Sequence, residues 1–197
     1  MDIRPLFYKT SLGKSLKHSL HKFDKEELFT DIKKARKFYI MAMSDMESEI
    51  SRYGYYRVKA MASCEIKYDR YFPNYAVERV YNDIFGARII VEDYGEAEGL
   101  VDNMSPSRVS DMIAGKKSDD GYRGLHLYYQ PDHFTYPIEF QFNTAHDRVF
   151  NNWAHTWMYK KGYPAEIGGA LRAMYESGRI QTENDFRREF YGLLSGK

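Results

Sequence analysis

Four groups of residues have types and spacings suited to chemistry on phosphates. Arg57 and Lys59 stand two apart and share a strand face, while Ser63 and Lys67 stand four apart on a following helix, so all four side chains can converge. An arginine fork, two ammonium groups and a hydroxyl would suit a polyphosphate; solvated charges on a strand and a helix have the same spacing. Asp83 directly precedes an apolar strand and can either hold Mg²⁺ through carboxylate oxygens or cap a turn. Arg88, inside that strand, needs a partner if it is buried.

The third group is the hydrophilic loop that includes Lys116, Lys117, Asp119, Asp120, Gly121, Tyr122 and Arg123. Gly121 permits a tight turn, Tyr122 offers a ring for stacking a base, and the cations offer phosphate contacts. The fourth is Glu139 with His126: a carboxylate able to take a proton or a metal, and an imidazole able to bond a phosphate. The doublet His146–Asp147 would suit a metal phosphohydrolase only with further His and Asp ligands at helical spacing, which the chain does not supply.

These groups require particular elements. Residues 121–160 read as a glycine-led loop, two alternating strands and a helix capped by Thr144 that runs to Lys161. Leu125, Leu127, Tyr129 and Ile138, Phe140, Phe142 make an apolar face; His126, Glu139, Gln141 and Asn143 lie on the other. That polar face is either a solvated sheet surface, the commoner case, or the floor of a site. A long helix from the cap Asp24 toward the stop Gly54 carries Leu28, Ile32, Ala35, Tyr39, Met43, Met46 and Ile50 at three- and four-residue spacing. Residues 55–61 read as a strand leading to a helix ending near Tyr71, 86–92 as a strand buried on both faces, 93–104 as a helix and 108–114 as a strand. Residues 1–23 read as a short helix plus an arm, and the tail as two helices. The order predicts an α+β fold, a mixed sheet wrapped by helices, in one domain over 1–197, with N-terminal helices to 54, a core over 55–161 and C-terminal helices over 162–197.

Composition narrows the class. A chain of 197 residues, 43% hydrophobic, can bury one core well. The net charge is +1, yet residues 1–40 carry ten Lys and Arg against five Asp and Glu, a surplus suited to phosphates or to a solvated helix. A single cysteine, Cys64, excludes a disulfide within the chain and points to a reducing cytoplasm. No apolar run approaches the roughly 20 residues of a membrane span.

Taken in order, R-x-K-x3-S-x3-K at Arg57 to Lys67, NDIFGARIIV at 82–91, GYRGLH at 121–126 and IEFQFNT followed by H-x3-YK at 138–160 resemble the synthetase domain of the RelA/SpoT family, the enzymes that make the alarmone ppGpp. The resemblance implies a mainly antiparallel, five-stranded, nucleotidyltransferase-like sheet and transfer of the β,γ-pyrophosphate of ATP to a ribose 3′-hydroxyl. By it, Arg57 and Arg88 sandwich adenine, and Lys59, Ser63 and Lys67 hold the phosphates. Asp83 and Glu139 carry Mg²⁺, with Glu139 also activating the acceptor hydroxyl. Tyr122 stacks on the acceptor base; Arg123, His126, Gln141, Asn143 and Lys160 belong to the acceptor site.

The family usually has Arg where this chain has Asn143, which weakens the case for an acceptor bearing its own 5′ phosphates. The run from Gln141 to Lys160, the short tail and the basic N-terminus are more similar to the toxic small synthetases, which modify the 3′-adenosine of tRNA. That reading places Lys33, Lys34, Arg36 and Lys37 on tRNA and implies a neighbouring antitoxin. GDP or GTP, an adenine nucleotide, or an inactive nucleotide- or RNA-binding module are the alternatives, and the short tail suits a monomer or small homo-oligomer.

Overall fold

The long helix forms where its apolar stripe and its cap predict. In a computed structural model describing residues 3–50, 54–104, 106–159 and 162–196, α1 spans Lys25–Ile50. Asp24 Oδ1 accepts the N–H groups of Glu26 and Glu27, both at 2.9 Å. Leu28, Ile32, Ala35, Tyr39 and Met43 are fully buried, and each large apolar side chain so buried contributes about 1.5–3 kcal/mol. The side chains of Met46 and Ile50 lie outside the described residues.

Five strands follow: β1 (Gly54–Val58), β2 (Phe85–Val91), β3 (Arg108–Asp111), β4 (Leu125–Tyr129) and β5 (Ile138–Thr144). They form one mixed sheet in the order β1-β2-β5-β4-β3, the α+β architecture expected. β1 pairs antiparallel with β2, with Arg57 opposite Gly86 and Tyr55 opposite Arg88. The helices are α2 (Met61–Tyr71), α3 (Val77–Val80), α4 (Tyr94–Met104), α5 (Ala145–Trp157), α6 (Ala165–Glu176) and α7 (Glu183–Ser195).

The chain divides into two compact units. One comprises Met1–Ile89, Leu100–Val109 and His126–Gln141, and the other Ile90–Gly99, Ser110–Leu125 and Phe142–Lys197. In the first, Tyr39 of α1 stacks on Phe85 of β2 at 5.3 Å between centroids. In the second, Phe150 and Ala154 of α5, Leu171 of α6 and Phe186 and Phe190 of α7 make the core. α5 and α7 begin at Thr144 and Thr182, whose side chains accept the N–H of Asp147 and Asp185.

Several expectations change. Among residues 3–23 the only helical turns are 3-10, at Arg4–Leu6 and Leu20–Lys22. The arm is instead organised by the buried Asp31, which accepts bonds from Tyr8, Thr10 and Ser11. β3 stops at Asp111 because its carboxylate takes the N–H of Ile113 at 2.9 Å and turns the chain. β2 is not covered on both faces throughout, since Ile90 is 39% exposed. α3 is too short to show a period in sequence. The face carrying Glu139, Gln141 and Asn143 is not a solvated surface: all three are buried, because neighbouring side chains close over them.

Candidate active site

The first unit gathers two buried carboxylates on one side of the sheet. Opposed residues of paired strands point to the same face, so Tyr55, Arg57, Gly86 and Arg88 share one. A Cβ added at Gly86 would lie 3.5 Å from Glu139 Oε2, which places Glu139 of β5 on that face too. Arg88 is only half-buried, and its Nε donates to Gln141 Oε1 at 3.0 Å.

Asp83 sits in the turn between α3 and β2 and collects three cations. Lys59 Nζ lies 2.6 Å from Oδ2, Lys67 Nζ 2.9 Å from Oδ1 and Arg57 Nη2 3.4 Å from Oδ2. The backbone arranges this: Lys59 N–H donates to Ile84 O at 2.8 Å, and Arg36 Nε donates to Lys59 O at 2.6 Å. Burial lowers the pKa of Lys59 despite the attraction of Asp83. One carboxylate offsets one of three positive charges, leaving a cluster that favours a further anion. Ser63 is exposed in the first turn of α2, a helix whose N-cap, Ala60, supplies no side-chain bond, so its amides also face an anion favourably.

Glu139 is 4% exposed and fully occupied. Its Oε1 accepts Tyr128 OH at 2.9 Å and faces His126 Nδ1 at 3.2 Å, and its Oε2 accepts Gln141 Nε2 at 2.6 Å. Burial alone would raise its pKa, but the bond and charge of His126, with Tyr128 and Gln141, outweigh it and bring the group to about 2. Glu139 is therefore an anion and a weak base in this arrangement; it becomes a stronger base only as those donors turn elsewhere. Burial, then the charge and bond of Glu139, push the Tyr128 phenol up, with Arg108 opposing.

Among the described residues no group of three or more His, Cys, Asp or Glu surrounds one point. Asp83 and Glu139 supply hard oxygen ligands of the kind that hold Mg²⁺ through one or two carboxylates while phosphates and water complete its shell. The pair fits an ion that arrives with a polyphosphate rather than a resident one.

In the second unit the hydrophilic loop is tightly built. Gly121 has φ +83°, and a Cβ there would come within 2.5 Å of Gly168 O in α6. Tyr122 is half-buried with Lys116 Nζ 5.1 Å from its ring centroid. Arg123 forks onto Asp119 at 2.7 and 2.8 Å, lowering the Asp119 pKa, and its carbonyl accepts Asn143 Nδ2 at 2.9 Å and Asn151 Nδ2 at 2.7 Å. Asn143 is thus a buried tie between β5 and the loop. Asp147 pairs with the buried Arg172 and accepts Tyr94 OH and Thr144 Oγ1, so the His146–Asp147 doublet is structural on the Asp side. Lys160 lies outside the described residues.

Of the α1 cations, Lys33, Lys34 and Lys37 are exposed, whereas Arg36 is engaged with Lys59 O. Residues 56–163, more than half the chain, match the model described as the region found in RelA/SpoT proteins. The chain belongs to the RelA/SpoT family. Every position from Arg57 to Lys160 named above falls inside that family region, and the α1 cations fall outside it.

Among solved structures, small alarmone synthetase 2 from Bacillus subtilis is similar, with 20% identity, TM-score 0.52, and coverage of 89% of this chain and 100% of the other. Small alarmone synthetase 1 from Bacillus subtilis, bound to its product pppGpp, has 19% identity, TM-score 0.50, and coverage of 87% and 96%. At such identity the likeness concerns the fold. No curated protein matches the chain.

Two residues that adjoin Glu139 in the structure escaped the sequence reading. Tyr128 binds Glu139, and the Arg108 guanidinium lies 3.7 Å from the Tyr128 ring centroid. Tyr128 shares the His126 face by alternation, which was the available signal. Arg108 had none.

Proposed function

We propose that the protein is a RelA/SpoT-type pyrophosphokinase that transfers the β,γ-pyrophosphate of ATP to a ribose 3′-hydroxyl. The observation that carries this reading is the cluster of Arg57, Lys59 and Lys67 on Asp83, in the same unit as the buried Glu139. The reading takes 1–197 as one synthetase domain. Arg57 and Arg88, diagonal on one sheet face, flank the adenine; Lys59, Ser63 and Lys67 hold the phosphates. The acceptor oxygen bonds to the β-phosphorus, the bond to the α,β-bridging oxygen breaks, AMP leaves, and Glu139 orients the hydroxyl and takes its proton. Mg²⁺ held by Asp83 and Glu139 would neutralise phosphate charge. His126 and Gln141 set the Glu139 carboxylate.

For the acceptor we favour the 3′-terminal adenosine of tRNA, making the protein a translation-inhibiting toxin with a cognate antitoxin. Asn143 supports this, since a neutral buried side chain gives the strand end no cation for 5′ phosphates. GDP or GTP is the second reading, supported by Lys116 beside the Tyr122 ring. The test offers γ-labelled ATP and Mg²⁺ with deacylated tRNA, GDP, GTP and ADP in separate reactions. Label is expected on tRNA and should fall by about 10²-fold or more in Glu139→Gln. Label on GDP alone would sink the toxin reading; wild-type label on no acceptor would leave a binding module.

A further inference from the structure

Two clefts of the first unit, of about 380 and 470 Å³, share Arg79, Asn82 and Arg108 and so form one continuous groove. One residue separates it from each of the two carboxylates: Lys67, which bonds Asp83, lines one cleft and Tyr128, which bonds Glu139, lines the other. We propose that this groove seats a single-stranded nucleic acid segment leading to the acceptor hydroxyl, an inference resting on the RNA-acceptor reading above.

The charges are distributed for a chain of phosphates. Lys17, Lys67, Arg79 and Arg108 line the groove from the N-terminal arm, α2, α3 and β3. No carboxylate among the described residues pairs with Lys17, Arg79 or Arg108. The two lining carboxylates are turned to local donors: Glu78 accepts from Gln130 and His133, and Asp132 from Phe134 N–H and Thr135. Leaving aside Lys67, which is paired with Asp83, three lining cations against two carboxylates leave the wall net positive.

Rings line the same cleft as Lys67, Arg79 and Arg108. Tyr71 and Tyr75 lie 5.0 Å apart at their centroids, and Tyr75 is 56% exposed. Cations spaced along a groove together with accessible rings are what a single strand requires, phosphates to the cations and bases to the rings. A free nucleoside diphosphate gathers its charge at one point and would leave most of these groups unused.

The experiment measures fluorescence anisotropy of a 5′-labelled single-stranded RNA hexamer with a free 3′-hydroxyl, using the full chain. Lys17→Glu/Arg79→Glu is expected to weaken RNA binding by about tenfold or more, and Tyr75→Ala by about fivefold or more, with ATP binding unchanged. Arg187→Glu/Arg188→Glu, on the exposed face of α7, serves as the comparison for charge reversal elsewhere and is expected to lose less. Unchanged RNA affinity in the double variant, or no hexamer binding by the wild type, overturns the proposal. Should the double variant lose ATP binding as well, Lys17→Ala and Tyr75→Ala decide, and unchanged RNA affinity in both overturns it. Label on GDP alone, with groove-dependent RNA binding intact, would reject the acceptor reading and keep the groove; label on tRNA with groove-independent binding would do the reverse.

Discussion

Asp83 supplies the negative charge at the centre of a three-cation cluster. Its carboxylate lies within 3.4 Å of Arg57 and of Lys59 and Lys67, the two lysines proposed to hold the ATP phosphates, so on that proposal an incoming polyphosphate displaces an internal anion. Asp83→Asn removes that competitor. It is therefore expected to bind ATP about tenfold tighter than wild type in EDTA and to lose the added affinity that Mg²⁺ confers, both measured by titration calorimetry. Equal affinities in EDTA would contradict the exchange. Glu139 shows the complementary situation, an acidic carboxylate whose donors keep it a poor base. Tyr128 and Arg108 extend that control one strand further and are reasons to treat the sheet face as one electrostatic unit.

At the scale of elements, the site depends on places where two backbones meet. A Cβ at Gly121 would clash with Gly168 O at 2.5 Å, and one at Gly168 would fall 2.1 Å from Asp120 O. Backbone atoms cannot move aside as a flexible side chain can, and Gly121 also has φ +83°. Gly121→Ala should therefore cost about 1–3 kcal/mol, read as a lower midpoint in thermal denaturation, with greater proteolytic cleavage between residues 115 and 123. An unchanged midpoint would show that the loop is not held against α6. Strands, caps and the long helix were legible because their periods and capping residues are local. The Gly121–Gly168 contact was not, since a double glycine inside a helix reads only as a weak helix until its neighbour is known.

For the molecule as a whole, a net charge of +1 conceals a basic first forty residues and a basic groove. If RNA is the acceptor, transfer to tRNA at subsaturating RNA should fall steeply, by about 10²-fold, as salt rises from about 50 to about 200 mM, while transfer to a mononucleotide should change much less. Equal salt responses would argue against extended phosphate contacts. No helix among the described residues is long and apolar enough to cross a membrane. The sequence by itself determined the α+β class, the order of the strands along the chain and the family, and it singled out Asp83, Glu139 and the neighbouring cations as candidates, because motif spacing and apolar periodicity are properties of contiguous residues. Only the tertiary structure decided that Asp83 is neutralised from within, that Glu139 is buried under Tyr128 and His126, that Asn143 is a buried tie, and that Lys17, Arg79 and Arg108 line one groove. Those outcomes depend on which distant side chains share the same small volume and compete for the same lone pairs, and linear spacing carries no record of that.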